Sequence, residues 1–220
     1  MKKLLYFLFF TLFFALAHTR ANADIRPKKS NYLFFLHNKF TEDFPLQAVH
    51  KEYGRSEYLE SLEVFRKAGF IVVSEKRTTG TDVYTYAKKM VKEIDSLLKT
   101  GVEPNHITVV GLSKGGYIAQ IISTLLANPE VNFVFIGSFR EQDLVKMPQI
   151  NFCGNILTIY DKSDEFGVSA IRRKETSKLK VTRFKELGLN TNLKHGFLFR
   201  PLPEWVIPAI NWGQRRYNSI

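Results

Sequence analysis

Short, continuously apolar runs recur along this chain, each separated from the next by a stretch with helical spacing. That alternation restricts the possible fold more than any other feature of the sequence. The runs are Tyr32 to Leu36, Phe70 to Ser74, Ile107 to Val110, Val131 to Ile136 and Ile156 to Tyr160. A run without polar alternation suits a strand buried on both faces, as in a parallel sheet covered by helices. The intervening patterns complete the picture. Ser56 to Lys67 puts Leu59, Leu62, Val64 and Phe65 on its inner side and stops at Gly69. Thr81 reads as the N-cap of a second helix, along which Val83, Ala87, Met90, Val91, Ile94, Leu97 and Leu98 follow at helical spacing until Gly101. Gly115 to Ala127 is a third helix, with Ile118, Ile121, Ile122 and Leu125 as its apolar set, and Pro203 to Trp212 a closing one. The expected fold class is α/β: a three-layer α/β/α sandwich around a mostly parallel sheet. No repeat, low-complexity tract or linker divides the pattern, so residues 24–220 are expected to form a single domain.

The first residues do not belong to that alternation. Lys2 and Lys3 precede an apolar run from Leu4 to Ala17, and Ala21-Asn22-Ala23 then supplies a small-x-small cleavage pattern. This order is that of a secretory signal peptide over residues 1–23, and the run is short for a membrane-spanning anchor. The expectation is therefore a protein exported to the periplasm or secreted, with no stable membrane span after cleavage. Such cleavage removes Lys2, Lys3 and Arg20 from a chain of formal net charge +11 and leaves it basic. The basic residues are scattered and form no block of the kind that binds nucleic acid, so no nucleic-acid partner is expected. Cys153 is the single cysteine. No intrachain disulfide is possible, and Cys153 is expected to be a core residue.

In open parallel sheets, ligands bind beyond the carboxyl ends of the strands. After Ile107 to Val110 comes Gly111-Leu112-Ser113-Lys114-Gly115-Gly116, then a helix. A glycine two residues either side of a serine, between a buried strand and an amphipathic helix, allows a sharp turn that lifts the serine hydroxyl above the sheet. The backbone N–H of Lys114 falls at the helix start, where the dipole favours a developing oxyanion. After Ile156 to Tyr160 come Asp161, Asp164 and Glu165. Later comes His195, the only histidine beyond Ser113.

The stretch Gly111 to Gly115 resembles the nucleophile elbow of the α/β-hydrolase superfamily, whose triad follows the chain order serine, acid, histidine. The resemblance spans most of residues 24–220 as a fold pattern. It rests on particular residues at four places: the Asn38 region, the elbow, the turn around Asp164, and Leu193-Lys194-His195-Gly196-Phe197. It implies Ser113 as nucleophile, His195 as general base and an acid after the fifth strand, with Asp164 preferred over Asp161. It also implies an oxyanion hole made by the Lys114 N–H and a second donor after the first strand. There the chain reads His37-Asn38-Lys39, where family members often have His-Gly. The backbone of Asn38 or Lys39, or the Asn38 side chain, is the expected donor. The connection from Asn38 to Arg55 is long for a link between strand and helix, which favours a binding role. Glu42, Asp43, His50 and Tyr53 are candidates to line the site, with solvated loop residues as the alternative. Arg77 at the next strand end is a candidate contact for an anionic substrate group, with a plain surface charge as the alternative. The segment from Gly137 to Asn155 is short and polar, without room for a helical lid, so the site is expected to be open.

The implied activity is that of a serine esterase working through an acyl-enzyme on a small-molecule or surface-exposed acyl substrate, with no metal or organic cofactor. Amidase, peptidase or thioesterase chemistry at the same site remains an alternative, as does a catalytically silent binding protein of the same fold.

Overall fold

The computed structural model describes residues 30–220; the expected signal peptide lies outside the described residues. In chain order the elements are β1 (Asn31–Leu36), α1 (Lys39–Asp43), β2 (Val49–His50), β3 (Gly54–Arg55), α2 (Tyr58–Lys67) and β4 (Phe70–Val73). There follow α3 (Val83–Lys99), β5 (Ile107–Leu112), α4 (Lys114–Leu126), β6 (Asn132–Ile136) and α5 (Asp143–Lys146). The last are β7 (Gly154–Asp161), α6 (Ile171–Thr176), β8 (Val181–Leu189) and α7 (Pro203–Gly213). Six strands form one sheet in the order β4-β1-β5-β6-β7-β8, every neighbouring pair parallel. β2 and β3 form a separate antiparallel hairpin.

The central strands alternate between two cores, as period-two geometry requires. Phe34 and Leu36 of β1, Val109 of β5 and Phe133 and Phe135 of β6 point to one face, where Ala87, Met90 and Ile94 of α3 and Ile118 and Ile122 of α4 cover them. Leu33, Phe35, Val110, Val134 and Ile136 point to the other, under Leu62 and Phe65 of α2 and Trp205 and Trp212 of α7. This is the expected three-layer sandwich. Cys153 is buried, as expected. Among the described residues, no helix is long and apolar enough to cross a membrane.

Several local expectations change. α2 begins at Tyr58 and turns Tyr58, Leu62 and Phe65 inward at i, i+4, i+7 spacing, which leaves Leu59 55% exposed. The cap of α3 is Asp82, whose carboxylate accepts the Thr85 N–H at 2.8 Å, while Thr81 donates its hydroxyl to the Thr78 carbonyl. β4 is an edge strand with Ile71 exposed, not a strand buried on both sides. β8 was not anticipated: Val181–Leu189 carries Arg183, Lys185 and Glu186 at the opposite edge, where one side needs no apolar cover. Gly137 to Asn155 is not merely polar. It holds the single-turn α5 and sends Phe139, Ile150 and Phe152 into the core.

The strand order reverses beside β1. The chain leaves β1 for β4 on one side and later returns as β5 on the other. The crevice beyond the carboxyl ends of β1 and β5 is thus the topological switch point, where this architecture leaves room for a ligand. Ser113 follows β5 directly, and Asn38 lies two residues beyond β1.

Candidate active site

Ser113 sits between β5 and α4 with φ 50° and ψ −117°, a sparsely populated conformation for a residue with a side chain. Such strain costs on the order of 1–3 kcal/mol and persists only where the surroundings impose it. They do so here through close backbone approach. A Cβ on Gly115 would lie 2.0 Å from the Leu36 carbonyl oxygen, and one on Gly111 would lie 2.4 Å from the Gly115 carbonyl oxygen. The serine N–H donates to the Ile136 carbonyl at 2.9 Å, which ties the turn to β6. Lys114 opens α4, so its backbone N–H belongs to the first turn, which has no partner within the helix.

His195 lies in a 3-10 turn, Lys194–Phe199, anchored by the buried Phe197, Leu198 and Phe199. Its Nε2 accepts from the Ser113 hydroxyl at 2.9 Å, and its Nδ1–H donates to Asp164 Oδ2 at 2.7 Å. The other Asp164 oxygen accepts the Phe166 N–H at 2.8 Å, and the carboxylate is shielded from solvent. Asp161 is committed elsewhere. Its oxygens accept the N–H and hydroxyl of Ser163 and of Thr191, at 2.5–2.9 Å, and so join the turn after β7 to the segment after β8. These hydrogen bonds hold its carboxyl below the usual range even though burial alone would raise it.

The segment after β1 is ordered differently from expectation. Asn38 has ordinary extended angles and caps α1: its Oδ1 accepts the Thr41 N–H at 2.9 Å and its Nδ2 reaches the Ser56 hydroxyl at 3.4 Å. Its side chain is therefore not a free oxyanion donor. Lys39, the first residue of α1, borders the cavities on both sides of Ser113. The connection from Asn38 to Arg55 is not a plain loop but contains α1 and the β2–β3 hairpin.

Two further expectations are corrected. The Arg77 side chain is fully buried; its Nε donates to Glu42 Oε2 at 3.0 Å, and its Nη2 donates to the His37 carbonyl. It lines neither cavity beside Ser113, because β1 lies between β4 and the strand that carries the nucleophile. Glu42 likewise does not face a ligand. Its second oxygen takes the Lys114 ammonium at 2.5 Å, and that ammonium also donates to the Thr81 carbonyl at 2.9 Å. Burial pushes the Glu42 carboxyl up, but the hydrogen bonds from Lys114 and Arg77 outweigh it and the net shift is downward. A buried carboxylate thus bridges α1 to the elbow. Burial, reinforced by the Arg77 charge, lowers His37 to about 3. His37 Nε2 accepts the Arg77 N–H at 2.9 Å, so the ring is neutral with its proton on Nδ1, facing the Asn38 carbonyl at 2.8 Å.

Tyr53 does border the site, stacked on His50 with ring centroids 4.5 Å apart. Two cavities, of about 490 and 520 Å³, meet at Ser113 and His195. Tyr117, Ser138 and Phe166 line the first, and Phe40, Phe44 and Phe199 the second. None of these six was anticipated. They come from five separate segments. Phe40, Tyr117, Phe166 and Phe199 each lie two to four residues beyond a residue singled out in the sequence, but nothing in the sequence shows which neighbours turn toward the site. Among the described residues, no cluster of His, Cys, Asp and Glu is arranged to hold a metal ion.

No family model and no curated protein sequence matches the chain. Solved structures do. A sugar hydrolase of Lactococcus lactis superposes with a TM-score of 0.52 at 13% identity, covering 86% of this chain and 90% of that one. A dienelactone hydrolase of Anabaena variabilis gives 0.55 at 16% identity, covering 84% and 86%. An esterase/lipase from an uncultured bacterium gives 0.57 at 12% identity, covering 86% and 77%. With its parallel sheet, flanking helices and strained serine turn, the chain has the fold of the α/β hydrolases.

Proposed function

We propose that this protein is a serine hydrolase that cleaves a carboxylic ester through a Ser113-His195-Asp164 triad. The observation that carries the proposal is the unbroken relay from the Ser113 hydroxyl to His195 at 2.9 Å and from His195 to Asp164 at 2.7 Å, mounted on a strained turn that opens into two cavities. His195 takes the serine proton as the hydroxyl attacks the carbonyl, and Asp164 holds the ring in the required tautomer and stabilises the imidazolium. The tetrahedral oxyanion is held by the backbone N–H of Lys114. The segment after β1 supplies a second N–H, from Asn38 or Lys39. The position of Lys39, in a first helical turn and beside both cavities, favours Lys39. As the tetrahedral intermediate collapses, the His195 imidazolium gives its proton to the departing alkoxide, which leaves as the alcohol. Water activated by the neutral His195 then hydrolyses the acyl-serine. The same relay serves amides and thioesters, and the hydrolase and esterase neighbours support the ester reading.

The test is labelling with a fluorophosphonate probe together with turnover of short-chain acyl esters. The wild-type protein is expected to be labelled at Ser113. Ser113→Ala is expected to lose labelling and about 10⁶-fold in kcat, as when a triad acts as a unit. A folded wild-type protein that resists the probe, or a Ser113→Ala variant that keeps its turnover, overturns the proposal.

A further inference from the structure

The two cavities that meet at Ser113 have different walls. One is built by α1, the β2–β3 hairpin and the end of the His195 turn, and its surface is a connected set of rings. Phe40 packs on Phe44 at 4.8 Å between ring centroids and on Phe199 at 5.3 Å. Tyr53 packs on Phe199 at 5.3 Å and lies nearly parallel to His50, with 7° between the planes. The rings hold one another, so the wall is preformed. It is also unfinished. Phe44 is 48% exposed and Val49 71% exposed, and both border this cavity. Large apolar side chains left in water at the mouth of a cavity favour a ligand that covers them. Of the charged side chains nearby, Lys39 pairs with Asp43 at 2.6 Å and Lys194 with Glu52 at 3.1 Å, while Lys51 lies exposed on the rim. The opposite cavity also holds rings, Tyr117 and Phe166, but they stand on separate segments beside Ser138 and Arg140, and the ring that Phe166 meets is His195.

Ring walls discriminate between apolar groups of equal size. A planar aromatic group gains edge-to-face and offset contacts beyond what area burial supplies, and a saturated ring does not. Resting on the reading of Ser113 as nucleophile, we infer that the substrate is an ester bearing a planar aromatic group, which the cavity walled by Phe40, Phe44, Tyr53 and Phe199 holds while the ester carbonyl lies at Ser113. The other half of the ester then occupies the cavity of Tyr117 and Ser138.

The experiment compares matched esters that differ only in a phenyl or a cyclohexyl group. One series carries the ring on the acyl side and the other on the alcohol side, and kcat/KM is measured for the full chain. In at least one series the wild-type protein is expected to prefer phenyl about tenfold, the ratio that one well-made ring–ring contact supplies. Phe44→Leu keeps apolar bulk at a half-exposed position and is expected to reduce that ratio to about twofold. Phe166→Leu removes a ring from the other cavity and is expected to keep the ratio. Because the readout is a ratio within each variant, a general loss of activity cancels. Equal use of phenyl and cyclohexyl esters in both series overturns the inference, as does a ratio that survives Phe44→Leu or collapses only in Phe166→Leu. Fluorophosphonate labelling separates the two possible failures. A labelled protein without aryl preference sinks the substrate class alone, whereas an unlabelled, inactive protein sinks the nucleophile and this inference with it.

Discussion

Asp161 and Asp164 stand in the same turn, three residues apart, and their surroundings give them different work. Asp164 spends one oxygen on His195 and the other on a backbone N–H within its own turn, whereas Asp161 accepts from Ser163 and Thr191 and clamps two loops together. Replacement by asparagine should therefore separate activity from stability. Asp164→Asn is expected to lower kcat by about 10⁴, through loss of the tautomer that Nε2 needs, with little change in Tm. Asp161→Asn puts an amide donor among groups that themselves donate. It is expected to cost about 1–3 kcal/mol of stability, read in urea unfolding, with far less effect on kcat per folded molecule. The reverse pattern would transfer the triad acid to Asp161. At this scale the sequence was legible where chain order constrained it. Ser113 follows from its glycines, and His195 from being the only histidine after them. Arg77 and Glu42 were misread because a charged residue near a strand end looks the same in sequence whether it faces the crevice or a buried partner.

The elbow shows what an element demands of its residues. Between β5 and α4 the chain turns so sharply that the first turn of α4 touches the last carbonyl of β1. Gly115→Ala would place a methyl 2.0 Å from that carbonyl, with backbone on both sides and no side chain to give way. The expected cost is about 3 kcal/mol or more, or failure to fold. Gly80→Ala is the comparison. Gly80 has φ +79° but open space around it, so only the conformational penalty of about 1–2 kcal/mol applies. Denaturant midpoints of the two variants measure the difference, and equal losses would mean that the close approach at Gly115 is not what holds the turn. The inner strands were readable because burial on both faces leaves an unbroken apolar run. β8 and the β2–β3 hairpin were not. An edge strand keeps polar residues on its open side, and a strand of two residues has no period to detect.

Across the whole molecule, His37 joins the end of β1 to the end of β4 and is held neutral, lowered to about 3 chiefly by burial. The unfolded chain takes up a proton there near the ordinary histidine value of 6.5, and the folded protein does not until about pH 3. Folding stability therefore falls as pH drops below about 6.5, by about 1.4 kcal/mol per unit for this one proton. His37→Gln keeps an acceptor but cannot titrate. It is expected to reduce the slope of stability against pH between 6.5 and 5 by about that amount, whatever its effect at neutral pH. An unchanged slope would show that His37 is not the group responsible. Taken alone, the sequence determined the layer order, the turn that carries Ser113 and the chain order of acid and histidine, because these depend on local period and on glycines that tolerate no substitute. Tertiary structure alone decided that Asp161 clamps two loops, where Arg77 and Glu42 are buried, and which rings from α1, the hairpin and the His195 turn gather into one wall. Those outcomes depend on contacts between residues far apart in the chain, which no local pattern encodes.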